Sequence, residues 1–225
     1  MGNSFTYFND LPKTFAALAK SRGDDVAAEM TYMAGFTLEK HLQRPATLQK
    51  IRVKPWDFVV LQEQSQSSAF PAEYLAAHVT PAALQLDQVI RQSRAGAKTA
   101  FFETWAGKEG DTANCANISE LCAYASTQRR INATYADLAQ RTSAILAPVG
   151  EAWSAVRRAH PEIELYNADG VHPSPLGSYL AACVLYESLF KKSAIGADTL
   201  GLDPGQAKIL QQAADAALFG APAAP

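Results

Sequence analysis

The stretch Asp57-Phe58-Val59-Val60-Leu61-Gln62-Glu63-Gln64 passes from a charged residue through four consecutive large apolar side chains into three long polar ones. A strand with one wet face alternates apolar with polar residues. An unbroken run such as Phe-Val-Val-Leu instead suits a strand covered on both faces, as in a parallel sheet packed between two layers of helices. Three further segments read the same way: 29–35 (EMTYMAG), 98–105 (KTAFFETW) and 143–150 (SAILAPVG). Helical patterns lie between them, the clearest at 11–23 (LPKTFAALAKSRG), stopped by Gly23, and at 81–96 (PAALQLDQVIRQSRAG), stopped by Gly96. The repeated alternation of helix and strand predicts an α/β fold, a doubly wound parallel sheet with helices on both faces.

After the last strand, 164–190 (ELYNADGVHPSPLGSYLAACVLYESLF) reads as a turn-rich loop followed by a strongly apolar helix. Residues 202–220 (LDPGQAKILQQAADAALFG) read as one more helix, with Asp203 as its cap and Pro204 at its first position. No internal repeat or linker interrupts the chain, so one domain is expected over 1–220, with 221–225 (APAAP) as a frayed tail. At 225 residues, 48% hydrophobic and 19% charged, the chain suffices for one sizeable core. A formal charge of −2 with scattered Lys and Arg gives no nucleic-acid footprint. No apolar run approaches the roughly 20 residues of a membrane span. Oligomeric state leaves no mark in the sequence.

Three cysteines are present. Cys183 falls inside an apolar helix and reads as a core residue. Cys115 and Cys122 stand in a polar stretch where a small disulfide loop, suited to a periplasmic or extracellular setting, and two unrelated thiols are equally good readings. None has metal-ligand spacing, and no metal or organic cofactor is expected.

Chemistry in open α/β sheets gathers at the carboxyl ends of the strands. The polar residues there are Ser4, Gly35, the cluster from Gln62 to Gln66, Glu103-Thr104-Trp105, and Asp169 with His172. In Asp169-Gly170-Val171-His172-Pro173, a three-residue spacing across a glycine turn brings a carboxylate beside an imidazole, and the following prolines stiffen the backbone. An imidazole so oriented can take the proton of a serine hydroxyl at neutral pH. Ser4, in a Gly2-Asn3-Ser4 turn that opens a helix, supplies that hydroxyl, and its backbone N–H groups suit a developing oxyanion. His41, His78 and His160 read as surface or satisfied core residues, and Glu63 as salt-bridged or solvent-facing. Trp105 and Thr104, after the 98–105 strand, are placed on the substrate pocket; Trp56 and Trp153 are placed in the structure.

Gly2-Asn3-Ser4-Phe5, Gly35 and Asp169-Gly170-Val171-His172-Pro173 together resemble the blocks of the SGNH hydrolases, also called the GDSL esterase/lipase superfamily, in order and spacing. The resemblance implies a flavodoxin-like three-layer α/β/α sandwich and hydrolysis of carboxylic esters, including carbohydrate acetyl esters, through an acyl-serine. It makes Ser4 the nucleophile, His172 the base and then acid, Asp169 the orienting carboxylate, and the Ser4 and Gly35 N–H groups oxyanion donors. One block departs: the superfamily's Gly-x-Asn-Asp is replaced by VVLQEQSQ, so that either Gln64 or Gln62 must stand in for the asparagine amide. The chain is closest to a side branch with GNSF and LQEQS-like blocks. A rival reading is a non-catalytic carbohydrate- or ligand-binding module on a decayed hydrolase fold. Flavin binding is disfavoured because GNSFTYFND offers bulky aromatics where a phosphate cradle needs small residues.

In the flavodoxin-like strand order 2-1-3-4-5 the first strand is interior, yet only Met1 precedes Gly2. The expectation is therefore a first strand that is missing or truncated, the chain being part of a longer one with an upstream apolar strand and a secretion signal.

Overall fold

The computed structural model describes residues 1–220; the tail expected at 221–225 lies outside the described residues. Three parallel strands, β1 (Phe58–Leu61), β2 (Lys98–Phe102) and β3 (Ile145–Ala147), lie in the order β1-β2-β3 with Val60 opposite Ala100 and Ala100 opposite Ile145. Around them run α1 (Ser4–Tyr7), α2 (Leu11–Ser21), α3 (Leu38–Leu42), α4 (Pro45–Val53), α5 (Ala72–Tyr74), α6 (Thr80–Ser93), α7 (Tyr124–Thr142), α8 (Val149–Ala159), α9 (Pro175–Phe190) and α10 (Pro204–Phe219).

The period of two along each strand divides the core. Phe58, Val60, Ala100 and Phe102 face a cluster built by α2, α8, α9 and α10, whereas Val59, Leu61 and Phe101 face a second cluster built by α3, α4, α6 and α7. This is the three-layer α/β/α sandwich that the apolar runs predict. Helix α9 is buried almost all round, because it packs against α2, α8 and α10 as well as β3. Its N-cap Ser174 accepts from Gly177 N–H at 3.2 Å, and Asp203 caps α10 through Gln206 N–H at 2.9 Å. Gly23 closes α2 with a left-handed φ of +85°. None of the described helices is long and apolar enough to cross a membrane.

The segment 29–35 is not the strand that its pattern suggests. It makes a single parallel bridge, Tyr32 to Gly2. Met1 and Gly2 lie between it and β1. The Met1 ammonium donates to Val60 O at 2.7 Å, Gln62 N–H donates to Met1 O at 3.0 Å, and Gly2 N–H donates to Thr31 O at 3.2 Å. Beyond Met1 and Gly2, the interval between 25–31 and β1 forms an apolar groove of about 520 Å³, with Phe15, Val26, Ile51, Phe58 and Leu189 among its walls. Burial holds the Met1 ammonium down to a pKa of about 5.

Cys115 and Cys122 form a disulfide, and Cys183 is fully buried. His78 and His160 pair with Glu39 and Glu162 on the surface.

Candidate active site

The turn that carries Ser4 is fixed from below. Gln62 is fully buried, and its Oε1 accepts from both Asn3 N–H and Thr6 Oγ1, each at 2.9 Å. A Cβ on Gly2 would collide with those same Gln62 and Thr6 oxygens, so the turn requires glycine there. Buried His41 lies with Nε2 2.9 Å from Gly2 O, which makes Nε2 the protonated nitrogen and leaves Nδ1 to accept from Thr47. Burial pushes its pKa down to about 4, so the ring is neutral. Asn3 caps α1 by accepting from Phe5 N–H at 3.2 Å and reaches across with Nδ2 to Phe36 O at 3.0 Å. That bond seats the Gly35 turn (φ +65°) against the Ser4 turn. The Ser4 and Gly35 N–H groups donate to nothing among the described residues.

The histidine loop is closed by backbone bonds at its base. Asn167 N–H donates to His172 O at 2.8 Å, and Ser174 N–H donates to Leu165 O at 2.9 Å. Inside the loop Asp169 Oδ1 accepts from the N–H groups of Val171 and His172, both at 2.9 Å, while Oδ2 lies 2.6 Å from His172 Nδ1. Burial works to raise the Asp169 pKa, but the bond from His172 and those two N–H groups outweigh it and hold the carboxyl below its usual value. An ionised acceptor there keeps the proton on Nδ1 and leaves Nε2 free as a base.

Two braces bring this loop to the Ser4 turn. Asn9, with left-handed φ of 52°, donates through Nδ2 to Pro173 O at 3.0 Å and to Ser178 Oγ at 2.9 Å. The Phe8 ring stacks on the His172 imidazole at 4.3 Å, with Phe5 edge-on at 5.9 Å. From the other side Trp105 Nε1 donates to Val171 O at 3.0 Å, and Lys108 N–H donates to Gly170 O at 2.7 Å. The Ser4 hydroxyl and His172 Nε2 make no hydrogen bond to each other. Apo sites often tighten only around substrate.

Several expectations change. Trp105 and Thr104 are fully buried and cannot wall an open pocket; Trp105 is stacked between Phe5 (4.6 Å) and Trp153 (3.9 Å), a pillar under the site. The two glutamines separate by burial: Gln62 is fully buried, its Oε1 is taken by the Ser4 turn and its Nε2 donates one hydrogen to Glu63 O at 2.5 Å. Gln64 is half-buried, accepts from Ser67 N–H at 2.8 Å and donates to Gln66 Oε1 at 2.7 Å, with one amide hydrogen to spare. Glu63 is neither salt-bridged nor in solvent but fully buried. Asn9, Phe8 and His41 carry no sequence signature of their own as site residues. The Asn9-Asp10 pair ahead of Leu11-Pro12 is the one local hint, since asparagine tolerates the left-handed region.

No protein-family model matches the chain, and no curated protein matches it. Among solved structures, a protein from Slackia heliotrinireducens, described as an SGNH hydrolase, is 30% identical with a TM-score of 0.66 over 84% of this chain and 95% of its own. The chain belongs to the SGNH hydrolases. A DUF4886 family protein from Bacteroides uniformis shares the fold of this SGNH hydrolase with a TM-score of 0.78 at 20% identity, over 97% of this chain and 93% of its own. A catalytic mutant of an acetylxylan esterase from Geobacillus stearothermophilus shares it at 0.52 and 13% identity, over 84% and 91%.

Proposed function

We propose that this SGNH hydrolase is a serine esterase that cleaves carboxylic esters through an acyl-serine, with Ser4, His172 and Asp169 as its triad. The observation that carries the reading is the 2.6 Å contact between His172 Nδ1 and Asp169, in a loop that Asn9 and Phe8 brace onto the Ser4 turn. Ser4 Oγ attacks the ester carbonyl as His172 Nε2 takes its proton. The resulting oxyanion is held by the N–H groups of Ser4 and Gly35 and by the spare Gln64 amide hydrogen, each worth roughly 3 kcal/mol in the transition state. His172 returns the proton to the leaving alcohol, then activates the water that frees the acid. Tyr32, exposed and packed on Tyr7 at 4.7 Å beside this turn, suits stacking on a sugar ring, so a carbohydrate acetyl ester is the finer reading of the substrate.

The absent Ser4–His172 bond favours one rival, a binding module that has lost turnover. Hydrolysis of p-nitrophenyl acetate and of acetylated xylo-oligosaccharides decides between them. Ser4→Ala and His172→Ala should lower turnover by at least about 10³-fold, and Asp169→Asn by somewhat less. Full activity in Ser4→Ala would end the esterase reading.

A further inference from the structure

Glu63 is a buried carboxylate that the proposed mechanism does not use. Its Oε2 accepts from Leu38 N–H at 3.1 Å, at the start of α3 and three residues after Gly35. Its Oε1 accepts from Gln64 N–H at 2.6 Å and from Ser67 Oγ at 2.9 Å, in the turn that presents the Gln64 amide. Its own backbone is clamped, N–H donating to Tyr135 OH at 3.0 Å and C=O accepting from Gln62. One side chain therefore ties the segment that follows Gly35 to the turn that carries Gln64. Resting on the esterase reading, we propose that Glu63 is a positioning residue: its carboxylate sets the Gly35 turn and the Gln64 turn at a fixed separation, so that their donors converge on one oxyanion.

The chemistry of the tie makes it dependent on ionisation. A carboxylate accepts from all three donors; a protonated carboxyl accepts well at one oxygen and must place its own proton. Ser67 can receive that proton, because its hydroxyl can donate instead to Gln64 O at 2.8 Å. Gln64 N–H then loses its strong acceptor and the Gln64 turn is released. The titratable groups that face Glu63 are Glu39 on α3, Tyr74 on α5 and Tyr135 on α7, and none of them is a cation. Burial therefore dominates over the three donors, and the Glu63 pKa stands at about 7, within the working range of an esterase.

The test pairs amide NMR with kinetics on wild type, Glu63→Gln and Ser67→Ala. In wild type the Leu38 and Gln64 amide resonances should titrate together with a midpoint near 7. That shared titration should vanish in Glu63→Gln, whose NH2 end faces a donor, and kcat for p-nitrophenyl acetate should fall at least about tenfold with KM within about twofold. Ser67→Ala removes a donor to the charged form and should move the midpoint upward by about half a unit or more; it also serves if Glu63→Gln does not fold. Leu38 and Gln64 titrating independently, or a folded Glu63→Gln with wild-type kcat, would overturn the proposal. Wild-type protein that titrates as described but is inactive and takes no fluorophosphonate would instead overturn the esterase reading, leaving the tie between the turns supported.

Discussion

Two glutamines two positions apart sit in opposite settings. Gln62 points under the Ser4 turn and Gln64 sits in the turn after it, so removing each should fail differently. Gln64→Ala should lower kcat by about 10²-fold with KM little changed, the mark of a lost oxyanion donor. Gln62→Ala strands the buried Asn3 N–H and Thr6 hydroxyl and should cost about 1–3 kcal/mol of stability, seen as a lower Tm. A large kcat effect confined to Gln62→Ala would reverse these assignments. Trp105 makes a parallel case. Stacked between Phe5 and Trp153, it should on substitution by Ala cost about 3–5 kcal/mol in chemical denaturation, whereas a role on a substrate wall would chiefly raise KM. Ser4, His172 and Asp169, the proposed triad, were legible as residue types in a known spacing, and the Asp169–His172 contact at 2.6 Å is the one of their pairings that the fold makes. The burial of Trp105 and Thr104 was not, because a tryptophan at a strand end fits a pillar and a pocket wall equally well until its neighbours are known.

Among the elements, the connection from α1 to α2 ties the Ser4 turn to the His172 loop. Asn9 and Asp10 both take left-handed φ, 52° and 48°, a conformation that costs a non-glycine residue about 1 kcal/mol or more. Asn9→Gly relieves that strain but loses the bonds to Pro173 and Ser178; Asn9→Ala loses the bonds and keeps the strain. Asn9→Ala should therefore be the less stable of the two by about 1 kcal/mol, and both should lower kcat by loosening the His172 loop. Equal kcat in wild type and both variants would show that the brace is dispensable. Helices α2, α9 and α10 could be read from caps and periodicity because Gly23, Ser174 and Asp203 signal their own ends. The 29–35 segment could not, since β-rich composition gives a strand only where a neighbour offers a ladder, and this segment makes the single bridge from Tyr32 to Gly2.

At the scale of the whole molecule, buried carboxyls set how stability answers to pH. Glu103 is fully buried, accepts from Glu151 N–H at 3.0 Å through Oε1, and has no partner for Oε2 among the described residues. Burial, and then the charge of Glu151, push its pKa up to about 8. A carboxyl raised above its unfolded value gives stability that is complete at low pH and is lost as pH rises toward 8, by up to about 1.4 kcal/mol per pH unit across that interval. Met1 and His41, held down to about 5 and about 4, act in the opposite sense, so the comparison must be between variants. Denaturation of wild type and Glu103→Gln at pH 5 and pH 8 should show Glu103→Gln gaining on wild type as pH rises; a difference that does not vary with pH would contradict the assignment. The three-layer sandwich itself was legible from the alternation of unbroken apolar runs with capped helices, because that pattern satisfies both faces of a parallel sheet at once. What the sequence could not show is how the layers are cross-tied at the carboxyl edge, since Asn3 to Phe36, Glu63 to Leu38 and Asn9 to Pro173 join positions 25 to 164 residues apart.

The central claim is that Ser4 is a nucleophile activated by His172. Reaction with a fluorophosphonate near pH 8, followed by peptide mass analysis, addresses it most directly. One adduct per chain on the peptide containing Ser4, absent in Ser4→Ala and slowed by orders of magnitude in His172→Ala, is the predicted result; an active protein labelled at another residue, or labelled at Ser4 equally fast without His172, would contradict it.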